Sequence, residues 1–308
     1  MDFVLTFLGT LPGAITQGLI WGLMAMGVYV TFRVLSVSDL TVDGTLATGG
    51  AVCVILIRAG APVGAAILIA FLTGLLCGLS TAFLHTKWGI PVILAGILTQ
   101  IALYSVNLRV MASKANASIS VDKYSLLISQ RYVRETSLRN PLYFLVIFTV
   151  LVIGLLYWYF GTESGSALRA TGANPRMARA QGINTDFQIT LGLMIANGMV
   201  ALAGALLAQY QGFADVNMGR GAIVIGLAAV IIGEVLTQKF FINFALKLLA
   251  VSIGSIVYFL VLQLVLQLGL NTNDLKLISA LIVAVFLAVP HFSKRMKMNQ
   301  NKGGEKNA

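Results

Sequence analysis

The sequence predicts an all-α integral membrane protein that crosses the bilayer many times, and three observations support this fold class. The first is composition: 58% of the 308 residues are hydrophobic and only 10% are charged, whereas about a quarter of the residues in a soluble domain are charged. The second is a mean hydropathy of +0.89. The third is a series of apolar runs that approach or exceed the roughly 20 residues needed to span a bilayer core as a helix.

Nine apolar segments are predicted as membrane-spanning helices, separated by polar or glycine-rich stretches. Two of these segments carry glycines four residues apart, Gly18 with Gly22 and Gly74 with Gly78, a spacing that permits close helix packing. The predicted spans cover residues 12–32, 45–57, 62–84, 90–111, 141–160, 187–210, 222–236, 240–268 and 275–290.

The second span is predicted to be broken at its start. Residues 35–51 carry Asp39, Asp43 and Gly44 between apolar residues. Non-helical backbone at membrane depth persists only inside protein or beside water, so one interpretation is a partly re-entrant segment beside a translocation path. The alternative is a loop in which Asp43 caps the short span 45–57, since aspartate is favoured at helix N-caps. Both interpretations are open at this point.

Polar side chains in or beside the spans are candidates for lining a path. Gln100 and Asn107 are seven residues apart and therefore share one helix face. Such a polar stripe either bonds a neighbouring helix or lines a path. Glu234, near the end of its span, is predicted to form an ion pair with Lys239. The candidate path residues are Asp39, Asp43, Gln100, Asn107, Asn197, Asp215 and Asn217.

Two similar segments indicate an inverted repeat. Gly22–Gly27 reads G-L-M-A-M-G and Gly192–Gly198 reads G-L-M-I-A-N-G. Each leads to a break that contains aspartate and glycine, and then to a second apolar helix. With nine spans and the basic C-terminal tail on the cytoplasmic side, the N-terminus is predicted to lie outside. The first break is then cytoplasmic and the second is external, as an inverted repeat requires. Transporters built in this way place their pathway at the interface between the repeats.

The formal net charge of +10 is carried by loops and by the C-terminal tail, which is typical of cytoplasmic segments of membrane proteins. A transmembrane domain over residues 1–292 is therefore predicted to precede a disordered basic cytoplasmic tail, residues 293–308. Nucleic acid is not an expected partner, because no aromatic and basic module interrupts the spans.

The sequence contains no pattern for energy conversion or for catalysis. It lacks the phosphate cradle G-x-x-x-x-G-K-[ST], the zinc motif H-E-x-x-H and any cysteine–histidine metal spacing, so no enzyme activity, metal or cofactor is expected. A transporter of this kind depends on a partner ATPase or passes its solute downhill. The alternative function is an autonomous secondary carrier for a small polar solute.

The loop 161–186 is the longest polar interruption in the second half of the chain. It carries Arg169, Arg176 and Arg179 among small residues that would let another surface approach closely. The pair Asn174-Pro175 predicts a turn that opens a short helix, because proline is tolerated in a first helical turn. The loop is therefore predicted to be a docking site.

This loop resembles a known family. The run A-L-R-A-T-G-A-N-P-R-M-A-R-A-Q-G-I-N at Ala167–Asn184, followed by A-L-A-G-A-L-L-A at Ala201–Ala208, resembles the cytoplasmic loop and following helix of ABC-importer permeases. More narrowly, it resembles the branched-chain amino acid and ribose permeases. Ser38–Ala51 is similar to members that are paired with a lipoprotein receptor and are often assigned to aromatic amino acids. The resemblance covers residues 15–290.

The resemblance implies the ABC-importer permease fold and a permease subunit in the cell membrane. ATP hydrolysis would occur in separate ATP-binding cassette subunits, and a second permease chain, as a homodimer, would face the first around the path within the lipid bilayer. An external lipoprotein would deliver a small solute, an amino acid such as tryptophan or tyrosine. Arg169 and Arg176 would meet acidic groups of the ATPase, while Gly172 and Asn174-Pro175 would shape the turn. The implied coupling residues are Leu168, Arg169, Ala170, Thr171, Gly172, Ala173, Asn174, Pro175 and Arg176.

Overall fold

The computed structural model describes residues 2–120, 123–124, 126–133, 140–237 and 243–268, together with residues 277, 279–285 and 288. Residues 279–285 are also helical. The α-helices are α1 (Asp2–Tyr29), α2 (Val42–Arg58), α3 (Val63–Thr86), α4 (Val92–Val110), α5 (Pro141–Gly161), α6 (Glu163–Ala173), α7 (Pro175–Ala180), α8 (Thr185–Gln211), α9 (Ala222–Thr237) and α10 (Phe244–Gln267), and the strands are β1 (Asn116–Ser118) and β2 (Phe213–Asp215).

Within the described residues, six helices are long and apolar enough to cross a membrane. These are α1, α3, α4, α5, α8 and α10, and they confirm the prediction of an all-α polytopic membrane protein. The helices α2 and α9 are shorter, with 17 and 16 residues. Of the predicted ninth span, 275–290, the structure describes residues 277, 279–285 and 288, and the whole tail, 293–308, lies outside the described residues, so the count of nine stays a prediction.

The predicted start of the first span is wrong. The span was predicted to begin at Pro12, but α1 begins at Asp2 and carries Pro12 inside it. The residues before Pro12 are themselves mostly apolar, so they continue the helix. At its other end α1 passes into one turn of π-helix, Val30–Val34, in which Leu35 donates its backbone N–H to Val30 O at 3.0 Å.

The predicted break of the second helix is confirmed. The chain leaves the π-helical turn at Leu35 and has no regular helix until α2 begins at Val42. Ser36 adopts a φ of 57°, in the left-handed region that is uncommon for residues other than glycine. A second irregular stretch, residues 212–221, contains β2 and separates α8 from α9.

Contacts along the long helices give their relative directions. Gly13 of α1 lies beside Tyr210 of α8, while Gly27 lies beside Ala196; the two helices are therefore antiparallel. The helix α9 runs parallel to α1, because its early residue Gly226 contacts Val28 of α1 and its late residue Glu234 pairs with Arg33, just beyond the end of α1.

The same reasoning places α2 parallel to α8. Thr45 bonds Asn197, and Gly50, farther along α2, lies beside Ala208, farther along α8. The units α1–break–α2 and α8–break–α9 therefore run in opposite directions, and each short helix packs beside the long helix of the other unit. This is the predicted inverted repeat.

The two motifs that suggested the repeat are not equivalent positions, and that part of the prediction is wrong. Gly27 precedes the start of α2 at Val42 by 15 residues, since 42 − 27 = 15. Gly198 precedes the start of α9 at Ala222 by 24 residues, since 222 − 198 = 24. The repeat lies in the order and direction of the helices. The similar letters reflect the small residues that close packing requires in both long helices.

The long helices α1 and α8 form the centre of the molecule. In both, 83% of the most apolar 18-residue stretch is buried, against 33% or less in α3, α4 and α5. The strands β1 and β2 pair antiparallel beyond the end of α8, with Ala117 opposite Ala214. We call this the β1–β2 end. The helices α6 and α7 precede the start of α8, and we call this opposite end the α6–α7 end.

Candidate coupling surface and translocation path

Local hydrogen bonds define the segment α6–α7. The Thr162 hydroxyl accepts the backbone N–H of Gly165 at 3.3 Å and begins α6. Asn174 Oδ1 accepts the N–H of Met177 at 3.1 Å, and Pro175 occupies the first position of α7. The predicted turn and short helix are therefore confirmed, and they follow from an asparagine cap and a proline that needs no hydrogen-bond partner there.

The coupling residues implied by the resemblance divide between two faces. Leu168 and Thr171 are buried, with 0% and 1% of their surfaces exposed. Leu168 lies close to Gly192 of α8, beside Leu35. The buried face packs α6 against Leu35, just after the π-helical turn, and against the start of α8. The outward residues are Arg169, Ala170, Ala173, Asn174, Pro175 and Arg176.

The expected role of Gly172 in shaping the turn is wrong. Gly172 lies inside the last turns of α6, and a Cβ there would overlap the carbonyl oxygen of Val34. The residue is small because the backbone of Val34 and Leu35 passes directly over it. The small residues of the loop were expected to admit another surface, but at Gly172 the approaching surface belongs to the chain itself.

Two of the three arginines of the loop also bond within the chain. Arg169 donates from Nη2 to Phe160 O at 3.0 Å and to Ser166 Oγ at 3.3 Å. Arg179 donates from Nε to Thr185 Oγ1 at 2.6 Å, and it pairs with Asp186 at 3.3 Å. Both therefore brace the ends of neighbouring helices. Arg176 is exposed on α7 and contributes an outward-facing charge to the segment α6–α7.

Asp39 and Asn197 come together in a buried polar network. Asp39, with 1% of its surface exposed, accepts the Thr41 N–H at 2.9 Å on Oδ1 and the Asn197 amide at 2.6 Å on Oδ2. Asn197 Oδ1 in turn accepts from the Thr45 hydroxyl at 2.7 Å. Buried polar groups are costly unless they are paired, and this network pairs the carboxylate of the break with the middle of α8.

Threonine hydroxyls extend this network to α3 and α4. The hydroxyls of Thr41 and Thr81 lie 2.7 Å apart, and Thr81 donates to Thr99 at 3.0 Å. All three residues are buried. These threonines could not be identified from the sequence, because a lone threonine in an apolar run carries no signal that separates a network from ordinary packing.

Asp43 caps a helix, but not the one expected. Its two carboxylate oxygens accept the N–H groups of Gly221 at 2.9 Å and Ile223 at 3.0 Å, at the start of α9. Thr41 holds the N-cap position of α2 without a side-chain cap bond. The alternative in which Asp43 caps the span 45–57 is therefore wrong. The N-termini of α2 and α9 meet, and Asp43 crosses from one to the other.

Three of the candidate path residues lie together at this meeting point. Asp43, Gln100 and Asn107 line one cavity of about 270 Å³. Asp39 and Asn197 lie in the separate buried network. Asp215 and Asn217 lie at the β1–β2 end, where Asp215 Oδ1 accepts the Asn217 N–H at 2.7 Å. The remaining residues that line the cavity are Gly44, Ile101, Tyr104, Ser105, Val216 and Arg220, of which the sequence analysis singled out only Gly44.

Glu234, which was predicted to pair with Lys239, forms an ion pair with Arg33. Lys239 lies outside the described residues. The side chain of Arg33 is 45% exposed and that of Glu234 is 30% exposed. The pair joins the end of α9 to the π-helical turn that follows α1, so it lies at the α6–α7 end. Sequence distance favoured Lys239 because it is five positions away, whereas the parallel course of α1 and α9 brings in Arg33.

We expect Glu234→Gln to lower the free energy of unfolding by less than about 1 kcal/mol, because exposed ion pairs typically contribute about 0–1 kcal/mol. Solute uptake should be retained, since the residue only joins two helix ends. Arg33→Gln is the matched control and should cost a similar amount. Loss of uptake in Glu234→Gln alone would contradict this assignment and favour an ion-coupled carrier.

Comparisons with a family model and with individual relatives agree on one family of transport proteins. Residues 11–290 match the family described as branched-chain amino acid transport system / permease component. The chain is 36% identical over 287 residues to the tyrosine transport system permease protein of Clostridioides difficile (strain R20291), covering 93% of each chain. It is 35% identical over 277 residues to an uncharacterized protein of Rickettsia prowazekii (strain Madrid E), covering 89% of this chain and 95% of that one.

A more distant relative is the autoinducer 2 import system permease protein of Yersinia pestis (strain Pestoides F). The identity is 28% over 184 residues, which cover 58% of this chain and 49% of the relative. No solved structure matches the chain. The family match extends over nearly all the described helices, and the inverted arrangement of α1–α2 and α8–α9 agrees with a transporter. The chain belongs to the branched-chain amino acid permease family of ABC-type transport systems.

Proposed function

We propose that this chain is the permease subunit of an ATP-driven importer that moves an amino acid, specifically an aromatic one such as tyrosine or tryptophan, across the cytoplasmic membrane. A homodimer of the chain would enclose the path. ATP-binding cassette subunits would dock on the α6–α7 end, and an external binding lipoprotein would deliver the solute at the β1–β2 end. The tyrosine transport permease, similar over 93% of the chain, supports the substrate class.

The observation that carries the proposal is the two-sided construction of α6–α7. One side is fixed to the membrane domain through Leu168, Thr171 and Gly172. The other side presents Arg176 and its neighbours outward. A docking element must be accessible to its partner and must also transmit force into the spans, and this segment meets both requirements.

Force on α6 has a direct route into the membrane. Gly172 contacts the backbone of Val34 and Leu35, so α6 cannot shift without moving the chain between the π-helical turn and the break. Four residues after Leu35 comes Asp39, whose carboxylate bonds Asn197 in α8. Packed elements of this kind switch between discrete arrangements rather than deform continuously. Closure of the ATP-binding subunits would therefore displace the break relative to α8.

The proposal is tested by purification and reconstitution. A tagged chain, expressed together with its genomic neighbours, should recover an ATP-binding subunit in a stable complex. In proteoliposomes this complex should accumulate tyrosine or tryptophan only with ATP inside and lipoprotein outside. Uptake by the permease alone, driven by an ion gradient and unaffected by ATP, would instead establish the secondary carrier.

We expect Arg176→Glu to uncouple the importer. The exposed guanidinium is placed to meet acidic groups of the ATP-binding subunit, so charge reversal should lower ATP-dependent uptake by about tenfold, equivalent to about 1.4 kcal/mol of docking free energy. Thermal stability of the isolated chain should not change, because Arg176 is exposed. The measurement is uptake together with substrate-stimulated ATP hydrolysis in proteoliposomes.

Lys247→Glu is the matched control for this prediction. Lys247 is exposed in the first turn of α10 and lies outside the segment α6–α7. Its charge reversal should leave uptake and ATP hydrolysis unchanged. Equal losses in the two variants would mean that the general charge of this end of the molecule matters, and that Arg176 makes no specific docking contact.

A further inference from the structure

The cavity at the meeting point of α2 and α9 has the chemistry of a ligand site. Its volume is about 270 Å³, and Asp43, Gln100, Tyr104, Asn107 and Arg220 are among the residues that line it. Pockets for drug-sized ligands begin at about 300 Å³, so the space suits one small molecule. Few cavities within a membrane domain combine a carboxylate, a guanidinium and two amides, since each charge is costly there.

An unpaired amide oxygen points to a missing partner. Asn107 has only 1% of its surface exposed. Its Nδ2 donates to the carbonyl oxygen of Gly44 at 3.5 Å, a long bond, and its Oδ1 has no hydrogen-bond partner among the described residues. Buried polar groups in native proteins are nearly always paired, so an exception needs an explanation. A ligand that donates a hydrogen bond in the cavity would provide one.

Asp43 supplies negative charge beside this amide. The N–H groups of Gly221 and Ile223 hold its carboxylate in place, and the side chain remains partly exposed on the cavity. A carboxylate can accept further hydrogen bonds beyond these two, because its oxygens offer about four acceptor positions. A cationic group with several donors, such as an ammonium, can therefore bond Asp43 and Asn107 together.

Arg220 supplies the opposite charge at the same cavity. It lies in the irregular stretch before α9 and is exposed, so its guanidinium is available to a ligand. Arginine binds carboxylates through two parallel hydrogen bonds. Ile101 and Tyr104, both exposed on α4, supply apolar and aromatic surface beside the charged groups.

From this arrangement we propose that the cavity binds the zwitterionic head group of a free amino acid, with the α-ammonium at Asp43 and Asn107 and the α-carboxylate at Arg220. The side chain of the amino acid then lies against Tyr104 and Ile101. The inference rests on the proposed function in one respect, namely that the cargo is an amino acid. It adds that the permease itself recognises the charged head group common to amino acids.

The test measures binding to the full chain in lipid nanodiscs, without the ATP-binding subunit or the lipoprotein. L-Tyrosine and L-tryptophan are titrated against the chain by calorimetry. The competing probes are N-acetyl-L-tyrosine, which lacks the positive charge, and L-tyrosine amide, which lacks the negative one. We expect each probe to bind at least about tenfold more weakly than L-tyrosine, because each loses one charge-assisted contact.

Variants then assign each charge to its residue. Arg220→Gln should remove the preference for L-tyrosine over its amide, yet keep the preference over the N-acetyl compound. Asp43→Asn should do the reverse, and Asn107→Leu should weaken the preference over the N-acetyl compound without changing the preference over the amide. If Asp43→Asn fails to fold because it weakens the cap of α9, Asn107→Leu still tests the ammonium position. Arg58→Gln, at the exposed end of α2, is the control and should bind as the unaltered chain does.

The outcomes separate this site from the proposed function. If neither L-tyrosine nor L-tryptophan, nor any of the other common amino acids, binds up to about 10 mM, the site is overturned, whatever the importer does. The same holds if Arg220→Gln keeps its preference over the amide. If the nanodiscs bind L-tyrosine with the expected preferences but the full complex shows no ATP-dependent uptake, the site stands and the importer proposal fails.

Discussion

Gly204→Val should prevent the chain from accumulating as a folded protein. A Cβ at position 204 would overlap the carbonyl oxygen of Leu46 in α2, and a Cβ at Gly49 would overlap the backbone of Ala201 in return. The helices α2 and α8 therefore meet backbone to backbone, as small residues allow in membranes. Backbone atoms cannot turn aside as a side chain can. We expect a cost of about 3 kcal/mol or more, at the upper end of overpacking effects.

Size-exclusion chromatography of a fluorescently tagged chain measures this result, as the fraction of monodisperse protein after extraction. The matched control is Gly154→Val, which places the same side chain inside the helix α5, where a Cβ would have nothing within 4 Å. Both substitutions carry the same change in helix propensity, so the difference between them reports the contact with Leu46. A monodisperse Gly204→Val protein as stable as Gly154→Val would show that α2 and α8 do not pack in this way.

Asn197→Leu should have the second largest effect. The change removes the amide that donates to Asp39 at 2.6 Å, and it leaves a carboxylate with 1% of its surface exposed to rely on the Thr41 N–H. Leaving a buried acceptor without its hydrogen-bond partner typically costs about 1–3 kcal/mol, and more where the acceptor is charged. We expect a loss of this order in the free energy of unfolding, measured by denaturant titration in detergent.

The double variant Asp39→Leu/Asn197→Leu shows whether the unpaired Asp39 carboxyl group causes the loss of stability. Replacing both partners by apolar side chains can be nearly neutral, so the double variant should be more stable than Asn197→Leu alone. Asn217→Leu, at an exposed position at the β1–β2 end, is the control for the substitution itself and should change stability little. Additive losses in the double variant would show that Asp39 and Asn197 do not stabilise each other.

The parts of the fold set by local sequence were predictable. Asn174-Pro175 predicted the turn into α7 correctly, because a capping side chain and a proline act within a few residues of chain. Helix bounds such as those of α5, predicted as 141–160 and found as Pro141–Gly161, follow from the length of an apolar run. The broken second helix was also predictable, since Asp39 and Asp43 interrupt such a run.

Contacts between distant parts of the chain were not predictable. Asp43 reads as a cap for the helix beside it, and only the meeting of α2 and α9 shows that it caps a helix about 180 residues away. Gly172 reads as a turn residue in a polar loop, although its size is set by the passage of Val34. Arg220 carried no signal, because a single arginine in a glycine-rich stretch has no pattern that points to a cavity.

The crossed arrangement of the two units has a consequence for how the protein is made. The helix α2 emerges from the ribosome early, but the surface that receives Gly49 and Asp39 belongs to α8, whose Asn197 lies 158 residues after Asp39 in the chain. Until α8 is inserted, the glycine face of α2 and a carboxylate await their partner in the membrane. We therefore expect the first half of the chain, expressed alone, to be unstable in the membrane until the second half is supplied.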